Sequence, residues 1–134
     1  MTFKRKTAIA LAAVAVSASM FVGGISAAPA FAHAQLLTTN PAVSSTLAKQ
    51  PAKVTLVFDD NLVDLSGGNQ IVVTNAAQKH VESGATKLDG ATVSVGLKPG
   101  LANGKYEVQY KVISDDGHPV TGTYFFYLKL AKKK

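Results

Sequence analysis

Apolar and polar residues alternate with a period of two through most of the chain beyond residue 52. In Lys53-Val54-Thr55-Leu56-Val57-Phe58 the side chains of Val54, Leu56 and Phe58 share one face. Gln70-Ile71-Val72-Val73-Thr74 predicts a second strand, closed by Asn75-Ala76-Ala77. Residues 91–97 set Val93, Val95 and Leu97 against Thr92 and Ser94. The cleanest alternation runs over 105–112, with Tyr106, Val108, Tyr110 and Val112 on one side and Lys105, Glu107, Gln109 and Lys111 on the other. An aromatic strand follows over 123–130, and 35–39 forms a first extended segment. Turn signals separate these runs: Ser66-Gly67-Gly68-Asn69, Asp89-Gly90, Lys98-Pro99-Gly100 and Asn103-Gly104. No apolar period of 3.6 is sustained after residue 32. The pattern predicts an all-β domain, a β-sandwich with Greek-key connections.

The first 32 residues stand outside that pattern. Met1-Thr2-Phe3-Lys4-Arg5-Lys6 is a basic start, residues 7–20 are apolar and alanine-rich, and small residues lead to Ala30-Phe31-Ala32. This is the layout of a cleaved signal peptide, residues 1–32, leaving a domain of residues 33–134 exported to a periplasmic or extracellular setting. Ser17, Ser19, Gly23 and Gly24 interrupt the apolar run, against its being a retained anchor of about 20 residues. Ala32-His33-Ala34 offers a second cleavage frame that would expose Gln35. Cleavage after Ala32 would leave 11 lysines against 8 acids, a formal charge of +3. Without arginine or a basic stripe among aromatics, that balance does not point to nucleic acid. Lys132-Lys133-Lys134 reads as a solvated tail. The chain has no cysteine, and its two methionines, Met1 and Met20, leave with the signal. The domain then lacks thiols and thioethers, the soft donors that favour Cu(I).

Its remaining chemistry converges on three residues. Cleavage after Ala32 gives His33 a free amine, which can close a six-membered chelate ring with the imidazole Nδ1 on one metal ion. Ser114-Asp115-Asp116-Gly117-His118-Pro119 supplies an imidazole and a carboxylate two residues apart, a spacing that projects both to one side of an extended stretch. Nitrogen and oxygen donors in that number suit tetragonal Cu(II). The same features have plain structural readings: Asp-Gly is a turn signal, and His118-Pro119 can fill a turn. Pro119 is expected to keep its stretch out of regular pairing. Asp59-Asp60 reads as a solvated strand end, or as an acceptor for His33. His80 reads as an exposed polar residue, and Tyr106, Tyr110 and Tyr124 as core or interface aromatics.

The chain resembles CopC-type copper-resistance proteins. The resemblance rests on Phe31-Ala32-His33-Ala34-x-Leu36, Asn40-Pro41-Ala42 and Val54-Thr55-Leu56-Val57-Phe58, and above all on the block from Gly104-Lys105-Tyr106 to Ser114-x-Asp116-Gly117-His118-Pro119-Val120-x-Gly122. It implies a seven-stranded cupredoxin- or immunoglobulin-like sandwich or barrel. It also implies one Cu(II) per mature chain held by His33, Asp116 and His118, no catalysis, a monomer, and an inner-membrane copper transporter of the CopD type as partner. Members with a Cu(I) site carry a methionine-rich loop, which this sequence lacks, so a Cu(II)-only member is expected. Two other readings are an envelope or adhesion domain without metal, and a small copper oxidase of the histidine-brace kind.

Overall fold

The chain is described by a computed structural model over residues 33–132; the segment read as a signal peptide lies outside the described residues. Alternation becomes sheet wherever it was legible. The elements are β1 (Leu36–Asn40), β2 (Thr46–Leu47), β3 (Lys53–Phe58), β4 (Gln70–Asn75), β5 (Glu82–Asp89), β6 (Thr92–Leu97), β7 (Gly104–Ile113) and β8 (Pro119–Leu128). They form two four-stranded sheets, ordered β1-β3-β6-β5 and β2-β8-β7-β4. All pairings are antiparallel except β2 with β8.

The two inner faces make the core. Val54, Leu56, Phe58, Val93 and Val95 from one sheet meet Val73, Val108, Val112, Phe126 and Leu128 from the other, all buried. Within one sheet Tyr106 stacks on its β8 partner Phe126 with ring centroids 5.3 Å apart, and between the sheets Phe58 meets Tyr110 edge-on at 5.9 Å. Tyr110 lies across its β8 partner Gly122, where any Cβ would run into the tyrosine ring.

Eight strands stand where seven were expected, and two of them carry no readable pattern. β2 has only two residues, but the 44–47 segment serves the open edge of β8 through Ser44 N–H to Phe125 O, Tyr127 N–H to Ser45 O and Lys129 N–H to Leu47 O. β5 is an edge strand with Ser83, Gly84, Ala85 and Lys87 exposed and a register shift between Ser83 and Lys87. Polar residues and irregular pairing blunt such an edge and erase its alternation.

Pro119 corrects an expectation: it opens β8 opposite Ile113 instead of keeping the stretch unpaired. The ladder loses nothing there. Ile113 C=O accepts from Val63 N–H and so does not need the N–H that proline lacks, while Ile113 N–H donates to Asn69 Oδ1. The β7–β8 connection therefore shrinks to residues 114–118, a tight turn at the same end of the sandwich as the start of β1 and the end of β3.

Gly122→Ala should destabilise the domain by about 1–3 kcal/mol through overpacking against Tyr110, seen in urea unfolding as a lower midpoint with an unchanged slope.

Candidate metal centre

The β7–β8 turn is shaped by its own short hydrogen bonds. Gly117 N–H donates to Ser114 O at 2.8 Å, and Ser114 N–H donates to His118 O at 2.9 Å. Gly117 takes φ +84°, a left-handed conformation that glycine adopts without steric cost. Asp116 Oδ1 accepts from His118 N–H at 3.0 Å, turning its second oxygen, Oδ2, away from the turn.

Two imidazoles meet that oxygen. His33 Nδ1 lies 2.6 Å from Asp116 Oδ2 and His118 Nδ1 lies 3.1 Å from it. The two rings have centroids 4.9 Å apart and planes inclined at 57°. One potential ligand atom from each of the three residues falls within 4.8 Å of the others, a span one metal ion can bridge. The histidine side chains are more than half exposed (54% and 67%) and Asp116 only 22%, so the carboxylate forms the floor and the imidazoles the rim. In His33 the nitrogen turned toward the cluster is Nδ1, the atom that a chelate with a terminal amine requires.

His33 meets Asp116, 83 positions further along the chain, because the N-terminal segment is tied down twice. Ala34 N–H donates to Ser114 Oγ at 2.7 Å, and both residues are buried. Gln35 N–H donates to Asp59 Oδ1 at 2.6 Å, while Asp59 N–H donates back to Gln35 O at 2.9 Å. Asp59 therefore holds the main chain beside His33; the imidazole itself goes to Asp116. His80 sits at the opposite end of the sandwich, bridged to Thr74, with Nδ1 2.7 Å from Glu82 Oε1.

The charge around the cluster is one-sided. All six aspartates (Asp59, Asp60, Asp64, Asp89, Asp115 and Asp116) lie in the segments at the cluster's end of the sandwich, and those segments hold no lysine. Lys49, Lys79, Lys98, Lys129 and Lys132 lie in segments at the other end. The hydrogen bond from His118 N–H, with further help from the two imidazoles, holds the Asp116 carboxyl down at about 2 from an ordinary 3.8. It is an anion throughout neutral and mildly acid solution.

The CopC domain matches residues 36–129. Copper resistance protein C of Pseudomonas syringae pv. tomato is 32% identical over 118 residues, covering 83% of this chain and 93% of its own. The crystal structure of CopC from Methylosinus trichosporium OB3b superposes with a TM-score of 0.67 at 26% identity, covering 76% of this chain and 99% of that one. The crystal structure of PcoC, a methionine-rich copper resistance protein from Escherichia coli, gives a TM-score of 0.62 at 28% identity, covering 73% and 100%.

The depressed acidity of Asp116 has a testable sign. Its contribution to stability is complete above the unfolded value of 3.8 and disappears as the pH falls toward about 2. Metal-free Asp116→Asn should therefore lose less stability than the parent between pH 4 and pH 2, as followed by urea unfolding at stepped pH.

Proposed function

The chain belongs to the CopC domain family, and on that footing we propose that it binds one Cu(II) per monomer outside the cytoplasm and sequesters or hands over that copper. His33 would supply its imidazole and, once residues 1–32 are removed, its amine; His118 would add a third nitrogen and Asp116 an anionic oxygen. The observation that carries this reading is the meeting of the two Nδ1 atoms on Asp116 Oδ2. Cu(II) suits it because nitrogen and oxygen donors in a tetragonal set are what that ion favours. Two positive charges arriving beside an ionised carboxylate are partly neutralised there, and the ion displaces protons that the imidazoles and amine would otherwise hold.

The contrast with the methionine-rich relative supports a Cu(II)-only role. No methionine lies between residues 33 and 134, so redox-linked transfer to a thioether site within the same chain has no ligands. We read the protein as a binder and not an enzyme, exported by its basic and alanine-rich leader. A CopD-type transporter in the inner membrane is the partner that the family resemblance suggests.

Protein beginning at His33 should bind one Cu(II) in competition titrations. His33→Ala and His118→Ala should each weaken binding about a hundredfold, or ~2.8 kcal/mol, while His80→Ala leaves it unchanged. An equal loss at His80 would overturn the ligand assignment. Cu(I) should bind weakly, and affinity for Cu(II) should fall in acid as the nitrogen donors take up protons. The rate of Cu(II) capture should drop as salt rises from about 10 mM to 0.5 M, since counter-ions screen the aspartate-lined end; stopped-flow measurement would show it.

A further inference from the structure

His33, Asp116 and His118 come from distant parts of the chain, and other residues hold them in register. Ser114 is fully buried and takes part in three contacts at once. Its backbone N–H and C=O close the turn that carries Asp116 and His118. Its hydroxyl accepts the N–H of Ala34, the residue next to His33. Its backbone also bridges to Leu62 at the edge of the core. The following amide, Gln35 N–H, is held by Asp59, which is anchored at the end of β3. Two consecutive amides after His33 are thus held by side chains from two different elements, one from each sheet.

We infer that Ser114 and Asp59 are positioning residues for the copper site: by occupying the Ala34 and Gln35 N–H groups they aim His33 at Asp116 and His118 and keep the main chain out of the ion's coordination. This rests on the His33 reading of the site. The physical reason is pre-organisation. A free His-Ala-Gln terminus must be ordered at the moment of binding, and it can wrap its own backbone nitrogens around a cupric ion in place of distant side chains. Held at residues 34 and 35, the terminus has neither the freedom nor the available amides. The donor set must then be completed from the β7–β8 turn. Buried partners that orient a ligand are worth about 10–100-fold in metal affinity, and the two ties act on adjacent residues, so their losses should not simply add.

The test uses protein beginning at His33, with folding of every variant followed by circular dichroism. Ser114→Ala should lower Cu(II) affinity by about 10–100-fold and move the visible Cu(II) band to shorter wavelength, as main-chain nitrogens replace His118 and Asp116. Asp59→Ala, at an exposed position, should do the same to a smaller extent. Asp59→Asn, which keeps the oxygen that accepts from Gln35, should restore the parent spectrum. If Ser114→Ala fails to fold, the Asp59 pair decides by itself. Parent-like affinity and spectrum in a folded Ser114→Ala and in Asp59→Ala would overturn the inference while leaving the copper site standing. A parent protein that binds Cu(II) without using His33 overturns both.

Discussion

The hydrogen bond between Ala34 N–H and the Ser114 hydroxyl joins the two halves of the molecule's chemistry. On one side of it the chain enters β1 and the first sheet; on the other it turns from β7 into β8 in the second. Both partners are buried, so leaving either unmade would strand a polar group without water. The rest of the cluster depends on that contact because, among the described residues, it and the His33 imidazole are what join this segment to the β7–β8 turn. A sandwich whose sheets pack independently could place the same three residues at the same end and still leave them apart.

Much of this was legible in the chain, for identifiable reasons. The strands from 53, 70, 92 and 104 bury one face and expose the other, and a half-buried strand writes its register as alternation. β5 escaped because an edge strand with a shifted register and residues such as Ser83, Gly84 and Lys87 has almost no buried face to declare. The trio His33, Asp116 and His118 could be picked out because each residue type carries metal chemistry wherever it falls. Their proximity could not, since it depends on β1 pairing beside β3 while the 114–118 turn folds over the same end. Ser114 and Asp59 were harder still: a serine within a turn motif and an aspartate at a strand end signal nothing until the amide each one holds is known. Pro119 misled in the opposite direction, because Val63 already donates to the carbonyl of its cross-strand partner Ile113, the one group that would have needed the N–H proline lacks.

The cluster of His33, Asp116 and His118 lies beside β1 and a tight turn, with the core behind it, so packing and candidate chemistry fall on different residues. Phe126, Val108 and Leu56 are buried between the sheets, whereas His33 and His118 are exposed and contribute little to packing. Such a cluster can be rimmed by exposed imidazoles and still be precise, provided its floor is fixed. Here the floor is Asp116, oriented by the amide of His118 and charged at any pH the fold is expected to meet.

The loops at the cluster's end carry aspartates and no lysine, while Lys49, Lys79, Lys98 and Lys129 lie in segments at the other end, so the two ends of the sandwich differ in charge. A negatively charged surface would act on those two ends differently. An end bearing lysines would be drawn toward such a surface, which would leave the end bearing the imidazoles facing the open fluid.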